Sequence, residues 1–488
     1  MNALNKLHFD NRFARLTEHF HTRLQPTAVP NPYVISANPQ GAALIGLDPA
    51  EMNKPEFVDA FAGNRPLPGS EPLAALYSGH QFGHYVSQLG DGRAILLGEA
   101  INASSERWEI QLKGAGKTPY SRGGDGRAVL RSSIREYLCS EAMHGLGIPT
   151  TRALCLIGTD MPVYREEDET GALVTRLSPS FIRFGSFEVF FYRNQHEQLK
   201  TLADFTIGHY FPHHAGKPDA YDRWLQEVVE RTARLMAQWQ AVGFCHGVMN
   251  TDNMSILGLT LDYGPYGFME AFDPGYICNH SDESGRYAYD QQPDIGAWNC
   301  TCLAQALTPL IGVEAAKSAI GAYPRAFTDH YIALMAAKLG LEPEQDVIDI
   351  LIRLLQVLAQ NKVDYTLFFR QLCEFDMTEG AINSPIRDRF VDRERFDAWG
   401  KDYAALLRKQ GRPQAQRQTK MKSVNPKYIL RNYLVEIAIR KAADEKDYSE
   451  VNRLLAIMQS PFDQQPEFSD YAREPPDWGK HIEVSCSS

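Results

Sequence analysis

Between about residues 190 and 220 the chain changes texture, and no other feature limits its fold so strongly. Upstream, Tyr85-Val86-Ser87-Gln88-Leu89, Gly90-Asp91-Gly92-Arg93, Ala94-Ile95-Leu96-Leu97-Gly98 and Trp108-Glu109-Ile110-Gln111-Leu112-Lys113 read as strand, glycine turn, strand, connection, strand. A second glycine loop, Ser121-Arg122-Gly123-Gly124-Asp125-Gly126-Arg127, precedes Leu130, Ile134, Leu138 and Met143 at helical spacing. Residues 172–192 read as strand again. Downstream, Trp224, Leu225, Val228, Val229, Leu235, Met236 and Trp239 fall on one face of a helix that should stop near Gly243. The spacing predicts further helices over 294–311, 313–338, 346–360 and 428–457. Residues 1–75, rich in Pro, Asn and Gly, read as an irregular extension with short helices, and the basic stretch 408–422 reads as a solvated linker. The class is α+β, with a small sheet-rich part at about 80–190 and a larger helical part after it. A chain of 488 residues is too long for one simple core, which agrees with two lobes.

Bulk charge narrows the function. The net charge is −10, whereas a general nucleic-acid binder carries a basic surplus to neutralise phosphates. Any phosphate ligand must meet a local cluster of Lys and Arg. The N-terminus has no apolar run of signal-peptide length, and no stretch approaches the roughly 18 apolar residues of a membrane span. The expectation is a cytoplasmic protein without nucleic-acid or membrane partners. The eight cysteines are scattered apart from Cys300-x-Cys302, which matches neither a disulfide framework nor a zinc site.

A polyphosphate is bound by bringing backbone N–H groups, fixed cations and metal-holding carboxylates to one place. Gly90 and Gly92 lie between two strands, where absent side chains let backbone approach a phosphate; a glycine hairpin turn is equally a plain structural device. Lys113 closes an apolar strand, and Glu136 follows on the next helix, a pair that in isolation is an ordinary ion pair. The richest segment is Phe244-Cys245-His246-Gly247-Val248-Met249-Asn250-Thr251-Asp252-Asn253, followed by Leu261-Asp262-Tyr263-Gly264. Asn253 and Asp262 are oxygen donors of the kind hard cations require.

His246 with Asn253 seven residues on, then Asp262-Tyr263-Gly264, resembles the catalytic loop and metal-binding Asp-Phe-Gly of protein kinases. Kinases place the catalytic Asp two residues after the His, and here that position is Val248. Asp252 is the carboxylate of the loop that can replace it as general base. Together with Gly90-Asp91-Gly92-Arg93, Gln111-Leu112-Lys113-Gly114-Ala115-Gly116, the Arg122 to Arg127 loop and the terminal Cys486-Ser487-Ser488, this combination resembles the selenoprotein O family, also called YdiU, over nearly the whole chain.

The resemblance implies a protein-kinase-like fold: an N-terminal extension over 1–75, a β-rich lobe over 76–190, a helical lobe over 191–425 and a helical C-terminal extension with a Cys-containing tail over 426–488. It implies transfer of AMP from ATP to Ser, Thr or Tyr hydroxyls of proteins, the nucleotide lying reversed relative to kinases, with UTP as a further donor to consider. Gly90, Gly92 and Arg93 would cradle the nucleotide, Lys113 held by Glu136 would contact its phosphates, and Asp125, Gly126, Arg176 and Arg183 would add to the site. Asn253 and Asp262 would hold Mg2+ or Mn2+, with Asp262 also meeting the nucleotide. Asp294, in Pro293-Asp294-Ile295-Gly296-Ala297-Trp298, is expected to support the loop. Some family members carry selenocysteine where this chain has Cys486, and a disulfide between Cys486 and Cys278 is the redox hypothesis. Two other readings are a kinase passing on the γ-phosphate, against which Val248 counts, and an inactive nucleotide-binding scaffold, against which the retained Lys113, Glu136, Asn253 and Asp262 count.

Overall fold

Seven strands run antiparallel in spatial sequence, an arrangement that draws its two flanks from the first 75 residues. In the computed structural model, which describes residues 1–165 and 168–485, His21–Arg23 pairs with Leu73–Ala75, which meets Ala94–Ile101. Next come Arg107–Lys113, Asp168–Ser178, Arg152–Tyr164 and finally Tyr33–Ala37, with a short strand Ala128–Val129 also on Asp168–Ser178. Side chains alternate between the faces as strand geometry requires. Ile95, Leu97, Ile110 and Leu112 join one core with Leu4, Ile45, Phe57 and Phe61. Leu96, Leu156 and Val174 join the other with the Leu130–Gly145 helix and the helical part beyond. The segment 1–75 is therefore partly sheet and covers one whole face of it. Its strands are only three to five residues long, too short for period-2 alternation to register.

The expected strands at 94–98 and 108–113 are present. Tyr85 and Val86 instead belong to a separate hairpin, Gly79–Gln81 with His84–Val86. The strand expected over 172–192 stops at Ser178, and Gly185–Tyr192 is a helix. That helix buries Phe187, Val189 and Phe190, and a short run apolar on every side has no period to separate strand from helix.

The helical part follows expectation in its main member. Ala220–Val242 buries the apolar face read from the sequence and ends on Gly243, whose φ of 76° is the left-handed C-terminal cap that glycine supplies without strain. The expected helix over 313–338 is two, Val313–Ile320 and Tyr323–Lys338, and that over 428–457 is Asn432–Asp444 and Ser449–Met458. The stretch read as a solvated linker is packed helix. Arg393–Gln410 turns at Gly411 into Gln414–Lys422, with Arg417 and Met421 fully buried against a third core. Among the described residues no helix is long and apolar enough to cross a membrane.

The two C-terminal helices return to the sheet-rich part and pack on Leu130–Gly145. Ser36 donates to Asn452 Oδ1 at 2.8 Å, and Gln459 to Asn38 Oδ1 at 3.1 Å, so chain end and chain start meet there.

One strand pair carries a buried charge problem. Glu99 and Glu109 sit directly opposite each other, both buried. Arg12 forks onto Glu99, while among the described residues Glu109 accepts a hydrogen bond only from the Phe181 N–H, at 2.8 Å. Burial, then the neighbouring Glu99, push the Glu109 carboxyl up to about 8. A carboxyl raised on folding contributes its stability below the unfolded value near 4.3 and loses it as pH rises through the folded value. Glu109→Gln keeps the acceptor and removes the titration. The variant's melting temperature relative to wild type should therefore rise steadily between pH 5.5 and 8.5, by an equivalent of one to a few kcal/mol; a constant difference would mean that the carboxyl ionises in place.

Candidate active site

The loop that follows Gly243 is held by buried amides. Phe244–Cys245 pairs with Gly267–Phe268, so residues 246–264 leave and return between two short strands. His246 lies flat on Trp239, ring centroids 5.2 Å apart, with Nε2 2.9 Å from the Leu261 carbonyl and Nδ1 accepting the Val248 N–H. Burial lowers its proton affinity, and the neutral Nε2–H tautomer satisfies both nitrogens, so this histidine organises the loop. Gln292 accepts the His246 N–H and donates to the Phe244 carbonyl, both at 2.9 Å, and Asn299 donates to the Met249 carbonyl at 3.0 Å.

That arrangement corrects the expectation for Asp294. It sits in the first turn of Gln292–Ile311, but Gln292, Gly296, Asn299, Cys300 and Leu303 form the inward stripe, and Asp294 faces solvent. The loop's support comes from one residue before Pro293 and one two turns later.

The expected nucleotide- and metal-site residues share one cleft. Gly90, Gly92, Arg93, Lys113, Asp125, Gly126, Arg176, Arg183, Asp252, Asn253 and Asp262 all line one cleft of about 970 Å³. At its floor Asp262, with φ of 56°, accepts from both Arg176 and Arg183 and lies 3.6 Å from Lys113 Nζ. Lys113 donates to Glu136 at 2.5 Å, and Arg176 reaches the other Glu136 oxygen at 2.8 Å. Burial opposes ionisation of Asp262, but Arg183, Arg176 and Lys113 outweigh it and hold the carboxyl well below the usual carboxylate range. Burial likewise lowers Lys113, against the pull of Glu136 and Asp262. Three cations thus face two carboxylates, leaving a positive surplus for an anion.

Asp252 differs. Its Oδ2 accepts from the Gln81 amide at 3.3 Å, while its buried Oδ1 has no hydrogen-bond partner among the described residues. Burial pushes this carboxyl up to about 7. The backbone carbonyl of Asp252 accepts from Arg183 at 2.7 Å. Asn253 donates its amide to the Val248 carbonyl at 3.0 Å, which leaves its side-chain oxygen available. Asn253 and Asp262, the pair read as metal ligands, carry oxygens of the type a hard divalent cation takes.

The two glycine loops pack on each other. A Cβ at Gly90, φ 107°, would lie 2.6 Å from the Tyr120 ring, and one at Gly126, φ 72°, 2.1 Å from the Gly116 carbonyl. Thr118 donates to the Asp91 carbonyl at 2.7 Å, and buried Asp91 accepts the Ala75 N–H at 3.1 Å and Gln111 at 3.2 Å. Asp125 is gripped by both arms of Arg165, at 2.8 and 3.1 Å, and accepts the Arg127 N–H. Those contacts hold its carboxyl low, the Arg165 hydrogen bond foremost. Arg165, Gln81 and Tyr77 line the cleft and are residues the sequence reading did not single out. Arg165 lies outside every motif, and Gln81 had only its flanking glycines as a signal.

With that cleft in view, comparison with known proteins is decisive. Residues 3–459 match the family model described as protein adenylyltransferase SelO. The chain belongs to the SelO family. Over their full lengths this SelO-family chain is 63% identical to the protein nucleotidyltransferase YdiU of Thiobacillus denitrificans, 55% to that of Thioalkalivibrio sulfidiphilus and 54% to that of Myxococcus xanthus, with all of each chain covered.

In this SelO-family chain Cys278 is buried, donating to the Cys245 carbonyl at 3.3 Å, and burial raises its thiol well above the ordinary value. Cys486 lies outside the described residues. The tail before it reaches the same segment, since the His280 N–H donates to the Val484 carbonyl at 2.8 Å, and Cys278 and Val484 line one cavity of about 1100 Å³.

The roles of Gln292 and Asp294 separate by substitution. Gln292→Leu strands the Phe244 carbonyl and His246 N–H and should cost roughly 2–4 kcal/mol in chemical denaturation, whereas Asp294→Ala should stay within about 0.5 kcal/mol. The reverse ranking would restore Asp294 as the loop's support.

Proposed function

We propose that this chain transfers AMP from ATP to Ser, Thr or Tyr hydroxyls of acceptor proteins, expelling pyrophosphate, in a protein-kinase-like cleft between a β-rich lobe and a helical lobe. The carrying observation is the convergence of Lys113, Arg176, Arg183, Asp252, Asn253 and Asp262 on one cleft. Its relatives' description as protein nucleotidyltransferases agrees with that chemistry.

Lys113, Arg93, Arg176 and Arg183 bind the polyphosphate, and the Gly90–Arg93 and Gly126 backbone lets it approach. Asn253 and Asp262 hold Mg2+ or Mn2+, which when bound neutralises charge on the phosphate oxygens. Asp262 is already paired with two arginines, so ligand binding redistributes those guanidiniums toward phosphate. Asp252 accepts the proton of the acceptor hydroxyl, whose oxygen attacks the α-phosphorus while the bond to pyrophosphate breaks. A carboxyl raised by burial is basic enough for that step. The kinase position for this base is Val248, which supports α- over γ-transfer. Fixed cations in a partly desolvated cleft supply most of the rate by positioning and charge neutralisation.

ATP labelled at the α or the γ phosphorus tests the reading with Mg2+ or Mn2+ present. Label should reach protein from the α position only; γ-label alone would make the chain a kinase, and neither would leave a nucleotide-binding scaffold. Asp262→Ala should lower α-transfer at least about 10³-fold, since it removes a metal ligand and unpairs two buried arginines.

We further infer that a Cys278–Cys486 disulfide gates the site. Oxidation should then depress wild-type transfer and leave Cys486→Ala unaffected; equal responses of the two proteins would remove the disulfide.

A further inference from the structure

The rim of the cleft beside Asp252 carries a side chain in a conformation that its own bulk resists. Phe82 and Gly83, with φ of 49° and 84°, form the two-residue turn joining Gly79–Gln81 to His84–Val86. Turns with both central residues at positive φ favour Asn-Gly or Gly-Gly, and a bulky aromatic there is an outlier. The strain is held in place from two sides: the Phe82 N–H donates to Asn250 Oδ1 at 3.2 Å and to the Tyr287 hydroxyl at 3.0 Å. The ring packs on Tyr287, centroids 5.0 Å apart, yet Phe82 remains 37% exposed and lines the cleft.

The same hairpin is fastened to the catalytic loop. The His80 N–H donates to Thr251 Oγ1 at 2.7 Å, Gln81 donates to Asp252, and a Cβ at Gly79 would lie 2.8 Å from Asp252 Oδ1. The chemistry that the hairpin offers the cleft is an amide and an apolar ring, with no cation for phosphate. Aromatic rings continue behind it: Tyr85 and Tyr192 have centroids 3.9 Å apart, and His80, whose Nδ1 lies 2.9 Å from Glu188, meets Trp298 at 5.3 Å. Backbone strain kept at a cleft by a ring left partly open to it points to a further contact on the open face.

We propose that Phe82 is the acceptor-side wall of the site: its ring packs on an apolar or aromatic residue flanking the Ser, Thr or Tyr whose hydroxyl Asp252 deprotonates, and so selects acceptor segments. This rests on the α-transfer reading above. Such a contact discriminates on the order of tenfold, the value of one apolar pocket contact.

The test uses the full chain, α-labelled ATP and synthetic peptides with one Ser, Thr or Tyr and varied neighbours. Wild type should prefer apolar or aromatic neighbours over charged ones by about tenfold; Phe82→Ala should flatten this to within about twofold and Phe82→Tyr should retain it. ATP affinity, from displacement of a fluorescent nucleotide, should not change. Phe82→Gly should lose the preference while melting no lower than wild type, because glycine adopts positive φ freely. An unaltered preference in Phe82→Ala overturns the proposal, and so does weakened ATP binding, which would make the ring a platform for the base. Wild type that transfers no α-label to peptide or protein removes the transfer reading and this one together, whereas transfer with an unmoved preference removes this one alone.

Discussion

Asp262 is where the sheet-rich and helical parts of the molecule are joined by charge. Arg176 comes from the Asp168–Ser178 strand, Lys113 from Arg107–Lys113, Glu136 from the Leu130–Gly145 helix, and Arg183 from the segment that bridges to Ser255. Each of these groups would be costly to bury alone, and removing one partner from such a set costs about 3–5 kcal/mol. Together they neutralise one another almost fully while keeping one positive charge in reserve. The fold must therefore bring four elements into register before any of these charges is tolerable, and the register that satisfies them also builds the cleft.

Rigidity around this centre is supplied by neutral groups. Gln292, Asn299 and His246 hydrogen-bond the 246–253 loop and its flanks, and Asn299 Oδ1 has no partner among the described residues. Gly90 and Gly126 allow two loops to touch where any side chain would collide with Tyr120 or the Gly116 carbonyl. For those glycines close packing alone requires the missing side chain, and both line the cleft.

Much of this was readable in the residues. A long element with a clean period, such as Ala220–Val242, is recognisable from spacing alone, the strand at 94–98 from an apolar run after a glycine turn, and the candidate residues from 90 to 262 are tied together by resemblance to a known family. Position in a motif says less about which way a side chain turns. Asp294 looked like a support and faces solvent, because Pro293 starts a helix whose inward stripe runs through 292, 296 and 299. Arg417, in a basic stretch read as solvated, is buried with its guanidinium on the Phe375 carbonyl, a partner that no local pattern announces. The short strands at 21–23, 33–37 and 73–75 gain their identity only from the sheet they complete. Arg165 lay beyond reading for the same reason, being forty residues from the carboxylate it grips.

The return of Asn432–Asp444 and Ser449–Met458 onto the Leu130–Gly145 helix links two remote regions mechanically. Glu136, the partner that holds Lys113, sits on that helix next to Arg135, which donates to Asn432 at 3.3 Å and to the Tyr266 carbonyl at 2.8 Å. A brace far down the chain thus steadies the carboxylate behind Lys113, and slack at that seam reaches the cleft floor without any change in the residues that line it.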